Sequence, residues 1–116
     1  MTLSTLLQRA NEFELQAYQR KPVDPESLKT DHVAFSGSPL QHPHHDDKLL
    51  LVAEPYSTNP QYYEFSTKDI AHVEKLPNLV NVDGQSVTMA RIWVRKGRIG
   101  MRYVPFVVED MAGHIL

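Results

Sequence analysis

The feature that most constrains the fold is a pair of strand-like runs, Val87–Arg95 and Arg98–Val108. Both runs are rich in Val, Ile, Trp, Tyr and Phe, the residue types that favour a pleated, half-buried surface. The two residues between them, Lys96 and Gly97, suit a tight turn, because glycine readily adopts the positive φ that two-residue hairpin turns require. The pattern therefore predicts a β-hairpin within Ser86–Asp110.

The turn predicts which residues of this hairpin face each other, because loop length and turn type set the register of the strands. Ala90, Ile92 and Val94 would lie on one face with apolar residues of the second run, which predicts the core side. On the other face Trp93 would lie over Gly100. The residues predicted to form a docking face there are Arg91, Trp93, Arg95, Arg98 and Arg102.

Four arginines placed together predict counter-charges, since like charges facing each other across strands cost roughly 0.2–1 kcal/mol per pair. Carboxylates of the same chain are one source, with Glu64, Glu74, Glu109 and Asp110 as candidates, and a phosphate- or carboxylate-bearing group is another. A protein partner is a third alternative, because Trp and Arg dominate interface hot spots. Val87 and Met89 fall in phase with the arginines, so a bulge near Thr88–Ala90 is expected to return them to the core side.

The first part of the chain predicts a helix followed by irregular structure. Apolar residues spaced three and four apart predict an amphipathic helix over residues 1–21, which ends at Pro22. Residues 22–48 are rich in Pro and His and are expected to form an irregular segment. Within it we expect one helical turn starting at Asp24 and a short strand at Asp31–Ser36.

Residues 49–110 predict an antiparallel β meander, with a further hairpin turn at Asp83-Gly84. Together with the helix, this pattern predicts a single α+β domain covering residues 1–116. The expected architecture is the N-terminal amphipathic helix packed on a five- or six-stranded antiparallel sheet or small barrel.

Composition narrows the functional class. The 116 residues carry a formal net charge of −2, which disfavours nucleic acid as a partner, because nucleic-acid binders usually have a strong basic excess. The absence of cysteine excludes disulfides, thiolate metal sites and a cysteine nucleophile. No apolar run approaches the roughly 18 residues of a membrane helix, and the first residues lack the features of a signal peptide. We therefore expect a cytoplasmic protein without membrane contact, whose partner is another protein or a second copy of itself.

A histidine-rich loop is the second candidate site. Imidazole and carboxylate groups are ligands for Zn, Fe, Ni and Mn. His42, His44 and Asp46 would point the same way from an extended segment. No recognised ligand spacing matches, so the loop is also consistent with a polar surface loop. The residues predicted to bind a divalent metal are His42, His44, His45, Asp46 and Asp47.

Three segments carry a family resemblance. They are Phe35–Pro39 running into His42-Pro43, Tyr62–Phe65 with Asp69-Ile70 and Val73-Glu74, and Arg91–Val94 through Pro105–Asp110. Together they resemble a family of short bacterial proteins that are sometimes labelled inorganic pyrophosphatase. The resemblance implies a Mg²⁺-dependent phosphoanhydride hydrolase, in which carboxylates hold the metal and basic residues bind phosphate. Asp46 and Asp47 would then be the metal-binding carboxylates, with Arg91, Arg95 and Arg102 on the phosphate.

Three functions remain open from the sequence. The first is an accessory or binding domain that docks a partner protein or an anionic group through the arginine–tryptophan face. The second is the pyrophosphatase-like hydrolase, and the third is a His/Asp metal-binding protein. No Gly-x-Ser-x-Gly, P-loop or dinucleotide-binding motif is present. The sequence therefore does not decide whether the protein is an enzyme.

Overall fold

The computed structural model describes Tyr18 and residues 24–58, 61–102 and 104–109. In chain order the elements are α1 (Pro25–Asp31), β1 (His32–Gln41), β2 (Lys48–Val52), β3 (Tyr62–Ser66), a 3-10 turn (Thr67–Asp69), β4 (Ile70–Val80), β5 (Ser86–Arg95), β6 (Ile99–Arg102) and β7 (Val104–Val107). Within these residues, seven strands form one open sheet in the order β4-β5-β1-β2-β3-β6-β7. Each neighbouring pair of strands is antiparallel.

Helix α1 begins and ends where its sequence dictates. The Asp24 carboxylate accepts a hydrogen bond from the Glu26 N–H at 3.3 Å, which caps the helix. Pro25 lies in the first turn, where its missing N–H costs no hydrogen bond. His32 is extended, with φ −134° and ψ 159°, and this ends the helix. Leu28 is buried, and α1 packs against β1.

Strand β1 joins two parts of the sheet. It begins within the short strand predicted at Asp31–Ser36 and continues to Gln41, through residues predicted to be irregular. Residues His32–Gly37 pair with β5, and residues Ser38–Gln41 pair with β2. Gly37 lies where the partner strand changes. A Cβ atom at this position would be 2.6 Å from the backbone oxygen of Val52. The close approach of β1 and β2 therefore requires glycine.

The main core lies on one side of the sheet and contains an aromatic cluster. Phe35 and Phe65 have ring centroids 4.8 Å apart, and Phe106 packs edge-on against both. Gly100 lies against Phe65 and Phe106, because a Cβ there would be 2.7 Å from a ring carbon of each. The predicted contact of Gly100 with Trp93 is therefore wrong. The other buried residues of this core are Val33, Leu49, Leu51, Ile70, Val73, Ala90, Ile92, Val94 and Val108.

The predicted α+β class is confirmed in its coarse form, as an antiparallel sheet with a helix. The small-barrel alternative is wrong because the sheet is open, and its described strands number seven rather than five or six. The described helix is α1, which continues the turn predicted at Asp24. The helix predicted over residues 1–21 lies outside the described residues except for Tyr18, which is helical and packs against the core. No helix in the described part of the chain is long and apolar enough to span a membrane.

The predicted hairpin between Val87–Arg95 and Arg98–Val108 is not formed. Strand β5 pairs with β4 on one side and β1 on the other, whereas β6 pairs with β3 and β7. Lys96 and Gly97 do form a turn, with Gly97 at φ +84°, but the turn carries the chain to another part of the sheet. Ten-residue β1 and eleven-residue β4 offer β5 longer ladders than four-residue β6 does.

The hairpin predicted at Asp83-Gly84 is formed and joins β4 to β5. The Asn81 side-chain oxygen accepts hydrogen bonds from the Asp83 and Gln85 N–H groups at 3.0 and 2.9 Å, and Gly84 has φ +81°. Strand β5 pairs with β1 only from Ala90 onwards. Among the described strands, the distal part of the hairpin therefore consists of β4 and β5 alone, and we call these two strands the β4–β5 ribbon.

Candidate functional site

The five predicted docking residues separate into two groups. Because side chains alternate along a strand, Arg91, Trp93 and Arg95 share the face of β5 that is opposite its buried residues. Arg98 lies in the turn before β6, and Arg102 ends β6. A ring of four arginines round the tryptophan would require β5 to pair with β6. That predicted arrangement is therefore wrong.

Residues of β4 complete the face that carries Trp93. Leu76 lies opposite Met89 and Leu79 lies opposite Val87, with a register shift between these two pairs. The extra residue is in β4, so β5 has no bulge at the predicted position, and Val87 and Met89 stay on the arginine side. We call this surface the ribbon face. Its residues are His72, Glu74, Leu76 and Leu79 from β4, and Val87, Met89, Arg91 and Trp93 from β5.

Glu74 organises the middle of the ribbon face. Its Oε1 accepts a hydrogen bond from Trp93 Nε1–H at 2.6 Å, and its Oε2 lies 3.5 Å from Arg91 Nη1. The Arg91 and Glu74 side chains are 41% and 39% exposed, so solvent screens the ion pair and limits its contribution to stability. Of the four carboxylates predicted as counter-charges, Glu74 pairs with Arg91, whereas Glu64 pairs with Lys48 and Asp110 lies outside the described residues. The Glu74 carboxylate also fixes the orientation of the indole.

Arg98 and Arg102, the two predicted docking arginines that lie outside β5, contact other residues of the fold. Arg98 Nε lies 3.4 Å from Oδ1 of the buried Asp69. The Arg102 guanidinium carbon lies 5.3 Å from the centre of the Tyr63 ring, which allows a cation–π contact. Arg102 also donates hydrogen bonds to the Tyr63 hydroxyl at 3.2 Å and to the side-chain oxygen of Gln61. Neither arginine contributes to the ribbon face.

Apolar side chains extend the ribbon face towards the turn. Leu76 and Met89 form one cross-strand pair, and Leu79 and Val87 form the next. None of the four belongs to the core cluster of the described residues, and Leu79 is 41% exposed. Apolar side chains beside a tryptophan and an arginine have the composition typical of the centre of a protein interface.

Prolines disfavour association through the sheet edges. Among the described strands, β4 and β7 lie at the two edges of the sheet, and they contain Pro77 and Pro105. The Val108 N–H and C=O bond to the Arg98 oxygen and the Gly97 N–H, each at 2.8 Å, so both point towards β6. Strand alternation then directs the nitrogen of Pro105 towards the open side of β7, where no N–H is available for a further strand. Docking through a face of the sheet is therefore favoured over edge pairing.

The histidine-rich loop is organised by His42. Its Nδ1 accepts hydrogen bonds from the backbone N–H groups of His44 at 3.0 Å and His45 at 3.1 Å. The neutral ring therefore carries its proton on Nε2, which lies 3.7 Å from Oε1 of Glu64. The same Glu64 oxygen lies 3.1 Å from Lys48 Nζ. Sequence spacing gave no sign that Glu64, from β3, meets this loop.

The placement of the predicted metal ligands gives no support to a metal site. Among the described residues, no group of three or more His, Asp or Glu side chains is placed to hold a metal ion. Asp46 and Asp47 are exposed. The backbone oxygen of Asp47 accepts hydrogen bonds from the Thr67 N–H at 2.9 Å and from the Thr67 hydroxyl at 3.1 Å. The metal-binding and hydrolase hypotheses therefore stay predictions.

The protonation of His42 is linked to stability. Burial lowers the pKa of His42 from its ordinary 6.5, and the neighbouring Lys48, His44 and His45 also lower it, whereas Glu64 opposes the shift. Because the folded-state pKa lies below the unfolded-state pKa, the unfolded chain takes up the proton first. The stabilising contribution is present above the unfolded pKa and is lost as pH falls towards the folded pKa.

We therefore expect the midpoint of urea unfolding to fall between about pH 7.5 and about pH 5.5. His42→Asn is the matched control, because an asparagine oxygen keeps an acceptor for the loop but does not titrate in this range. The fall should be smaller in the variant than in the wild type. If the unfolding midpoint fell equally in the two proteins, protonation of His42 would not contribute to the pH dependence of stability.

A depression of about 230 Å³ lies beside the same loop. It is lined by Lys48, Glu64, Phe65, Ser66, Ile99 and Met101. Pockets for small molecules are usually larger, roughly 300–1,000 Å³. The ribbon face is therefore the stronger candidate for function.

No protein-family model matches the chain, and neither the curated proteins nor the solved structures contain a match. The family resemblance of the sequence therefore stays a prediction. A candidate function has to rest on the geometry of the described residues, and above all on the ribbon face.

Proposed function

We propose that this protein is an accessory domain that docks a partner protein through the ribbon face. The observation that carries the proposal is the content of this face, in which two apolar cross-strand pairs adjoin Trp93 and the Arg91–Glu74 ion pair. Trp, Met and Arg are enriched at protein interfaces, and Trp and Arg are enriched among hot spots.

A protein partner fits this face better than a bare anion does. Arg91 is already paired with Glu74, and Arg98 is paired with Asp69 away from the face. An anion bound at Arg91 would lie close to the Glu74 carboxylate, and like charges repel at such distances. A protein surface instead covers the apolar pairs while the ion pair stays intact.

The position of the ribbon on the fold also supports docking. The part of β5 before Ala90 pairs with β4 and, among the described strands, with nothing else. A two-stranded hairpin is only marginally stable alone in water. Covering one face of the ribbon would therefore stabilise it without disturbing the core.

The substitution Met89→Lys tests the proposal, because it places a charge among the apolar pairs. We expect the affinity for the partner to fall by at least about tenfold, because an unpaired charge buried in an interface costs more than the roughly 1.4 kcal/mol of a tenfold change. The partner that co-purifies with the chain would be produced pure, and its binding to each variant measured by calorimetry.

The matched control is Val82→Lys. Val82 is fully exposed in the turn of the hairpin and lies outside the ribbon face. This variant should bind like the wild type. If Met89→Lys also binds like the wild type, the ribbon face is not the docking surface.

A further inference from the structure

We infer that the occupant of the ribbon face is a second copy of this chain, related to the first by a two-fold axis that runs along the ribbon between β4 and β5. This inference rests on the proposed docking function of the face. A two-fold interface uses the same patch on both subunits, so the patch must be complementary to itself. The cross-strand register of the ribbon meets this requirement.

The charges are self-complementary under this rotation. The axis exchanges the two strands, so each cross-strand pair faces the same pair of the second copy with β4 and β5 interchanged. Glu74 and Arg91 are cross-strand partners. Each Arg91 therefore faces Glu74 of the second copy, and two ion pairs lie at the middle of the interface. A face with four arginines and no carboxylate would have repelled its own copy.

The apolar pairs are complementary in the same way. Leu76 faces Met89 of the second copy, and Leu79 faces Val87. At the other end of the face, Trp93 meets His72, its cross-strand partner in the register. The ion pair thus faces the ion pair of the second copy, the aliphatic pairs face aliphatic pairs, and the aromatic pair faces an aromatic pair.

The size of the face predicts a weak dimer. Strand β5 has ten residues and is therefore about 33 Å long, and the ribbon is two strands wide for part of that length. Such a face buries less than the roughly 1,600 Å² of a standard interface. We therefore expect a dimer that forms and dissociates with protein concentration rather than an obligate one.

Sedimentation velocity on the full chain, from low micromolar to near-millimolar concentration, tests the inference. The wild type should change from monomer to dimer over this range. Arg91→Glu places four carboxylates at the middle of the interface, and Glu74→Arg places four guanidinium groups there. Each should weaken dimerisation by about tenfold or more, because juxtaposed like charges oppose association.

Two further variants sharpen the test. The double variant Arg91→Glu with Glu74→Arg restores the complementarity and should dimerise better than either single variant. Lys75→Glu is the matched charge reversal on the other side of the ribbon, since Lys75 is paired with the core residue Ala90. It should dimerise like the wild type.

A wild type that stays monomeric throughout the range would overturn the inference, and so would Arg91→Glu dimerising as well as Lys75→Glu. If the monomer bound a different purified protein and the Met89→Lys variant did not bind it, the inferred dimer would be wrong and the proposed docking function would stand. If Met89→Lys affected neither self-association nor that binding, both would be wrong.

Discussion

Replacing Gly37 with alanine is expected to lower the free energy of unfolding by about 3 kcal/mol, the upper part of the range for overpacked sites. A Cβ atom there would lie 2.6 Å from the Val52 oxygen and 3.0 Å from the Leu51 side chain. Val52 is part of the β2 backbone, so relief of the contact must disturb the pairing of β1 with β2. Urea unfolding followed by circular dichroism measures the loss.

Gly84→Ala is the control for this prediction. Gly84 has φ +81°, but a Cβ there would meet no atom within 4 Å. The cost should be limited to backbone strain, about 1–2 kcal/mol. Equal losses of stability in the two alanine variants would contradict the conclusion that the close approach of β1 and β2 requires Gly37.

A second large effect is expected at Phe65, which is buried and packs against Phe35 and Phe106. Phe65→Ala should lower the free energy of unfolding by about 3–5 kcal/mol, because it removes a buried ring and leaves a cavity. Tyr56→Ala is the comparison, since Tyr56 is 40% exposed and its hydroxyl donates one hydrogen bond, at 2.7 Å, to the Gln85 oxygen. Its loss should be about 1 kcal/mol. Similar losses in both variants would contradict the position of the core.

The sequence predicted the structural features that depend on adjacent residues. Asp24 and Pro25 predicted the start of α1, and Asp83-Gly84 predicted the β4–β5 turn, because caps and turns depend on a few adjacent residues. The pairing of β5 was not readable. Lys96-Gly97 makes its turn, but the choice among β1, β4 and β6 as neighbours depends on ladders formed by distant parts of the chain.

The same distinction between local and distant interactions applies to the candidate site. Trp93 and Arg91 could be assigned to one face from alternation, whereas Glu74 was one of four carboxylates predicted as counter-charges. Met89 was assigned to the core side only because the irregularity was expected in β5. Pro77 was an available signal for the true position, since it lies within the register shift of β4 and a proline cannot donate to a ladder.

Trp93 also allows the most direct measurement of the central claim, that the ribbon face is a docking surface. It is the only tryptophan in the chain, so intrinsic tryptophan fluorescence reports this face alone. As the protein associates, with itself or with a purified partner, the emission should shift to shorter wavelength and quenching by acrylamide should decrease. A complex whose Trp93 emission and quenching equal those of the free monomer would contradict the claim.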